Sequence, residues 1–544
     1  MTAAGDCVSG TLLAPSIQAA CERWGPRPAV THRGATLSYG KLGEQIRALA
    51  RAYRSLGIEP GARVVCQLPA CPEHFIALGA AWACGAIHVG AHRDSTAPEL
   101  AAIVGSTQAA AVVLQPPPGL NDAPAALRAV RAAHPGIVSI LHDHPPVAGA
   151  HQLSDLLASP APGPQPAAGA GPEDTALLLL TSGTTGRPKA VMETLPALWA
   201  KMQFFADAIS PGPDDVQLMY LPINHVFGLK LSLMGLASGG RLVLLDPFSP
   251  GGALRLVQDE RVTLLPGTPT HLTLLLKSLG ADRRRPRSLR WAVSAAAPIP
   301  HEVIEGIHER LGAELLNVYG CSEGFLTLST DPDEVRRGSV GRKVFRGPPG
   351  TPPDGSVAIL DRNQDTRLPP GEVGEIAFGA SRPVRYWGQA PVAANGWYRS
   401  GDLGWLDRDG RLFVTGRLKE VVNRGGLKVS CGEVETALAR LPAVADCAVI
   451  PTRDAVLGEA ICACVVAAGG APPGLADVRL HLGETLARHK LPDELCLLES
   501  IPRSPVGKVD RAALLALVVD GDLPRARSRR RSTPERFTYV MEDA

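Results

Sequence analysis

Short apolar strand-like runs, separated by segments of helical period, constrain this chain more than any other feature. In "KLGEQIRALARAYRSLG" (41–57), Leu42, Ile46, Leu49 and Tyr53 recur at helical spacing and share one face. The run "ARVVCQL" follows as a strand, then "FIALGAAWACGAI" (75–87) as a buried helix too short to span a bilayer. A second alternation runs from "VQLMYLP" through a helix after His225 to "GRLVLLD", "VTLLPGTP" and "LRWAVSAAAP". Strands apolar throughout and separated by helices form mostly parallel sheets. After about residue 340 the texture changes to short strands and turns, in "GSVAILD", "GEVGEIAFG" and "GRLFVTG". From 417 helix and strand signals resume over a length sufficient for a small separate domain.

The expected fold is therefore α/β. A large N-terminal domain, 1–416, holds two α/β subdomains and a small β-barrel-like unit at about 340–416. A small α+β domain follows at 417–520, and 521–544 is a basic, polar tail expected to be disordered. The Pro/Gly/Ala-rich stretch 159–174 reads as an irregular surface loop. A chain of 544 residues exceeds one ordinary core, which agrees with this division. The formal net charge of +2 gives no overall footprint for nucleic acid or an anionic membrane. The eleven cysteines show no zinc-ligand spacing, and Cys462 and Cys464 read as buried strand residues. Without a basic start and sustained apolar stretch at the N-terminus, a cytoplasmic protein with reduced thiols is expected. It would be a monomer or homodimer.

One loop carries unusual chemistry. After "ALLLL" (176–180) comes "TSGTTGRPKA" (181–190), which concentrates hydroxyls, glycines and cations. Backbone N–H groups, rotatable O–H donors and positive charge together suit a polyphosphate. The spacing is not that of the common nucleotide P-loop, and a polar hairpin turn would explain the glycines but not the density of donors.

Four further stretches follow in order: "NVYGCSEG" (317–324), "GWYRSGDLGWLD" (396–407), "GRLKEVVNRGGLKVSCGEVE" (416–435) and "PRSPVGKVDRAAL" (502–514). With the loop at 181–190 this set resembles the acyl-adenylate-forming superfamily of acyl-CoA synthetases, adenylation domains and luciferases. The pattern is nearest to stand-alone acyl- or aryl-CoA ligases, and it covers roughly residues 20–520. The resemblance implies that ATP, Mg²⁺ and CoA (or a phosphopantetheine) are used. It implies that Thr181, Ser182, Gly183, Thr184, Thr185, Gly186 and Lys189 hold the β- and γ-phosphates. Tyr319 would stack on adenine beside Gly320 and Ala296, Ser322 would donate to the α-phosphate, and Glu323 would ligate Mg²⁺. Asp402 would accept both ribose hydroxyls, with Arg417 in support. Lys508 would bridge the substrate carboxylate and α-phosphate, and His225 would stand at the entrance to the acyl site. The small domain would swing about a hinge at Lys419 and Glu420, withdrawing Lys508. The same swing would bring Gly425, Gly426 and Lys428 to the site for thiol attack.

Departures from the family pattern are modest. Glu420 stands where Asp is common at the hinge, Cys431 where Pro is usual, and Ala190 where Gly commonly follows the loop lysine. Val226 occupies the position where hydroxybenzoate ligases often carry Asn. Lys230, five residues after His225, lies about 140° around a helix and is expected to face elsewhere. The run "DRRRPRSLR" (282–290) reads as a solvated surface, with contact to the 3′-phosphate of CoA as its functional alternative.

The leading expectation is an AMP-forming acid–thiol ligase acting on a carboxylic acid. One alternative passes the same adenylate to a carrier-protein phosphopantetheine or an amine. Another, of a different class, is a non-catalytic acyl- or nucleotide-binding protein. The small apolar residues at 224–230, 294–298 and 319–325 suit an apolar or aromatic acid better than a polyanion.

Overall fold

The computed structural model describes residues 13–527, apart from 116–122, 159–170, 182–188, 280–285, 298, 345–356, 362–363, 380–383, 391–396, 419, 425–426, 455–456, 470, 487, 505–506 and 521–524. The chain divides into two compact units. The first takes residues 1–400 with 404–414, and the second takes 401–403 with 415–544.

The first unit is built on two large sheets. The seven-stranded sheet runs in the spatial order His151–Gln152, Val138–Leu141, Ala111–Leu114, Arg63–Gln67, Ile87–Gly90, Thr175–Thr181, Lys189–Thr194. All its pairings are parallel except the last, where Thr175–Thr181 meets Lys189–Thr194 antiparallel. The nine-stranded sheet has a parallel centre formed by Glu314–Gly320, Trp291–Ser294, Leu264–Gly267, Val216–Met219, Arg241–Leu244 and Pro28–His32, with antiparallel strands at both ends. Central strands such as Ala111–Leu114 are buried at every position, as parallel strands covered by helices must be.

Helices pack on these sheets as their sequences require. Tyr39–Ser55 buries Leu42, Ile46, Leu49 and Tyr53 along one stripe. The second helix covers Pro72–Ala83 rather than 75–87. Pro72 opens it, Gly85 at φ +79° stops it, and Ile87 already belongs to the next strand. Among the described residues no helix is long and apolar enough to cross a membrane.

A four-stranded sheet of Val357–Leu360, Gly374–Gly379, Trp397–Leu406 and Leu412–Arg417 follows, and its last two strands carry the chain from one unit into the other. In the second unit, Val444–Asp454 and Gly458–Ala467 form a long hairpin. Gly458–Ala467 also pairs, at Gly458, with Arg424 of Val421–Arg424, which pairs in turn with Leu427–Ser430, and it pairs parallel with Glu494–Leu497. Cys462, Cys464 and Cys496 are buried within it, and the described cysteines are free thiols. One expectation needs correction here. Arg525–Arg527 pair antiparallel with Glu494–Cys496, so that part of the basic tail is an ordered edge strand. Backbone pairing, which composition does not register, outweighs the charge there.

A buried polar knot ties three parallel strands of the nine-stranded sheet. The Asp215 carboxylate accepts from the Gly212 N–H (2.8 Å), the Thr263 hydroxyl (2.6 Å) and the Arg290 guanidinium (2.8 Å). Asp215→Ala is expected to lower unfolding stability by about 2 kcal/mol, because three donors lose a mostly buried acceptor. Urea denaturation followed by tryptophan fluorescence checks this, and Asp215→Asn, which keeps an acceptor oxygen, should lose less.

Candidate active site

In the first unit the site grows from a strand pair. Thr181 is matched in register with Lys189, and its hydroxyl donates to the Lys189 carbonyl at 3.3 Å. The residues that flank 182–188 are thereby held side by side. Ser182, Gly183, Thr184, Thr185 and Gly186 lie outside the described residues.

A third segment joins this pair. Val191 bridges antiparallel to Tyr386, the Met192 N–H donates to the Arg385 carbonyl (2.9 Å), and the Trp387 N–H donates to the Ala190 carbonyl (2.8 Å). Tyr386 is fixed as a result. Its ring lies 5.2 Å from the Lys189 ammonium, within cation–π range, and its hydroxyl donates to Glu323 Oε1 at 2.9 Å. Burial, and then the Glu323 carboxylate beside it, push the Tyr386 phenol up, so it stays a donor at neutral pH. The structure thus brings Lys189 and Glu323 to one tyrosine. Reasoning from the sequence missed Tyr386; the available signal was the buried alternation of Val384 and Tyr386 in "RPVRYWG".

Glu323 sits in a turn that follows the strand Glu314–Gly320. The turn is closed by the Cys321 N–H to the Phe325 carbonyl (3.0 Å) and the Gly324 N–H to the Cys321 carbonyl (3.1 Å). Two glycines are needed here. A Cβ on Gly320 would lie 2.6 Å from the Phe325 carbonyl oxygen. Gly324 has φ +103°, and its backbone rests directly against the Lys201 ammonium. Lys201 is in turn held by both oxygens of Glu193 at 2.7 Å, in an almost fully buried pair. Among the described residues Glu323 Oε2 accepts no hydrogen bond. A hard carboxylate oxygen therefore remains for a divalent ion such as Mg²⁺, and the donor set fits it. Ser322 occupies the same turn, half-buried.

Tyr319, half-buried, pairs with Thr327 and has its ring 6.2 Å from Phe378 in a near-parallel stack. Phe325 stacks between Phe378 and Tyr398 beside it. Ala296, exposed just past the strand Trp291–Ser294, has φ +80°, a conformation rare for a residue with a Cβ. His225 caps the helix Val226–Ala237, its Nδ1 accepting from the Phe227 N–H at 3.3 Å. That helix is buried at every position from Gly228 to Ala237, so Lys230 has no outer face to turn toward. Burial, and then the nearby Lys201, lower the Lys230 ammonium to about 7, and Cys321 also lies within its electrostatic reach.

In the second unit, Asp402 is buried and meets the Arg417 guanidinium at 2.9 Å, while the Leu418 N–H donates to the Gly401 carbonyl at 2.8 Å. Glu420 accepts from Arg511 at 2.9 Å, and Arg511 also binds Glu435 at 2.8 Å. Lys508 stands on a tight reversal in which the Ser504 N–H donates to the Lys508 carbonyl (2.7 Å) and Gly507 has φ +78°. The backbone of Lys428 pairs with Asn423; Lys419, Gly425 and Gly426 lie outside the described residues.

Known proteins resemble this chain along most of its length. The AMP-binding enzyme family matches residues 17–382, and the AMP-binding enzyme C-terminal domain matches 433–508. The chain is 33% identical over 509 residues to a 2-hydroxy-7-methoxy-5-methyl-1-naphthoate–CoA ligase of Streptomyces carzinostaticus, covering 88% of each chain. It is 32% identical to a salicyl-AMP ligase / salicyl-S-ArCP synthetase of Mycobacterium tuberculosis, covering 93% of this chain and 91% of the relative. Among solved structures, the amide bond synthetase McbA of Marinactinospora thermotolerans superposes with a TM-score of 0.80 at 28% identity, covering 92% of this chain and 99% of that one. Family matches over most of the chain and relatives aligned along nearly all of it lead to one conclusion: this chain belongs to the AMP-binding enzyme family, whose members form acyl-adenylates.

Proposed function

We propose that this enzyme activates an aromatic carboxylic acid as its acyl-AMP and then transfers the acyl group to the thiol of CoA. The observation that carries the reading is the line Lys189–Tyr386–Glu323. It ties the cation at the end of the phosphate loop to the carboxylate after the Tyr319 strand. Small apolar side chains at Val226, Ala295, Ala296 and Ala297, and the aryl acids for which the relatives are named, support an aromatic substrate.

In the first half-reaction a carboxylate oxygen attacks the α-phosphorus of ATP, a P–O bond forms, and pyrophosphate leaves. In the second a thiolate attacks the acyl carbon and AMP leaves. Both reactants of the first step are anions, so holding them together and neutralising charge dominate the barrier. Thr181, Lys189 and the loop between them are assigned to the β- and γ-phosphates, Ser322 to the α-phosphate and Tyr319 to adenine. Asp402 with Arg417 is assigned to the ribose. Lys508 is assigned to the acid carboxylate and α-phosphate during adenylation, and Glu420 with Lys419 to the hinge. Mg²⁺ bound at Glu323 would neutralise phosphate charge. Tyr386 holds that carboxylate in place by its hydrogen bond and lies against Lys189, so it positions two groups at once.

A second reading changes only the acceptor, with a carrier-protein phosphopantetheine or an amine in place of CoA. It is favoured by relatives of similar identity named for an ArCP synthetase and an amide bond synthetase.

Acid-dependent exchange of labelled pyrophosphate into ATP tests adenylation, and product analysis with CoA, a loaded carrier protein or amines tests the acceptor. Lys508→Ala is expected to cut pyrophosphate exchange by about a hundredfold or more while sparing thiolysis of preformed acyl-AMP. Equal loss of both half-reactions in a folded variant would contradict the division of labour. Tyr386→Phe is expected to lower kcat for adenylation by roughly tenfold and to raise the Mg²⁺ concentration needed for half-maximal rate. Thermal unfolding should show the variant folded.

A further inference from the structure

Glu193 and Lys201 are buried beneath the Cys321–Gly324 turn, and Lys230 is buried within electrostatic reach of both and of Cys321. Glu193 comes from the strand Lys189–Thr194, Lys201 from the helix Leu195–Ile209, and Lys230 from the helix Val226–Ala237. The charges do not balance, because one carboxylate faces two amines. Lys201 takes both Glu193 oxygens at 2.7 Å, which leaves Lys230 drawn toward that carboxylate only at a distance. Lys230 is 4% exposed, and among the described residues its ammonium has no hydrogen bond or ion pair. Its helix is otherwise apolar from Gly228 to Ala237 except for Ser232, whose hydroxyl donates to the Gly228 carbonyl. An amine placed so deeply without a partner is destabilising in a way that a methionine or leucine there would not be.

The position of this cation gives it a use. The helix begins at His225, and Cys321, within electrostatic reach of Lys230, precedes Ser322 and Glu323 in their turn. Both segments belong to the acid site proposed above. We propose that Lys230 is the recognition group for a second ionisable oxygen on the acid substrate, a phenolic hydroxyl or a second carboxylate, which completes the charge left open by Glu193 and Lys201. No covalent step is involved. A phenol shares its proton with the neutral amine, and a carboxylate pairs with the ammonium. This rests on the acid-activation reading.

The test compares kcat/KM in pyrophosphate exchange for benzoate, 1-naphthoate and 2-naphthoate against the same acids carrying one ring hydroxyl or one further carboxylate. For the wild-type enzyme, an oxygen-bearing acid is expected to exceed its parent by roughly ten- to a hundredfold, the range of a charge-assisted hydrogen bond. In Lys230→Met the ratio should fall to within about threefold, through a higher KM for the oxygen-bearing acid. Lys230→Gln separates the two sources, since it should keep part of a preference for a hydroxyl and lose one for a carboxylate. A wild-type enzyme that prefers the parents overturns the proposal, and this arm needs no variant to fold. A preference that survives Lys230→Met overturns it equally. Exchange with none of the acids would overturn the activation reading itself, whereas exchange without the preference would sink only the role of Lys230.

Discussion

The first unit's part of the site depends on what the single strand Lys189–Thr194 does with its two faces. Residues 189, 191 and 193 point to one side. Lys189 meets the Tyr386 ring, Val191 is bridged to Tyr386 by its backbone, and Glu193 holds Lys201 under Gly324. The register of that strand against Thr175–Thr181 therefore sets where the Lys189 ammonium lies and what supports the Glu323 turn. A slip of one residue would send all three to the opposite face.

The Glu193–Lys201 pair is an expensive way to support a turn. Removing two charges from water costs several kcal/mol each, and good geometry recovers that only in part. An apolar pair of similar volume would fill the space. It would not fix the Gly324 backbone against a charged, directional group, nor leave a polarised surface beneath the turn. The pair trades stability for a defined position of the loop that carries Glu323.

The family and the α/β fold were legible in the sequence, and the reason is local. The strings that hold Thr181, Lys189, Tyr319, Ser322, Glu323, Asp402 and Lys508 are short, contiguous and ordered along the chain, so reading them needs no knowledge of packing. The α/β alternation was equally readable, because a strand buried on both faces must be apolar throughout. Tyr386 was not readable, since its place comes from a bridge to a strand far away in sequence. The burial of Lys230 was not readable either, since an angle measured from His225 does not tell that packing covers the helix all round. The edge strand Arg525–Arg527 was hidden by its own composition: three residues dominated by arginine suggest a solvated tail until a partner strand supplies their hydrogen bonds.

The all-round burial of the helix Val226–Ala237 restricts how such an enzyme can change over generations. Neutralising Lys230 leaves Glu193 and Lys201 matched, whereas losing Glu193 first strands two like charges in a dry interior. Substrate drift at this position thus has a permitted order of steps, with the lysine free to go early and the glutamate tied to its neighbour.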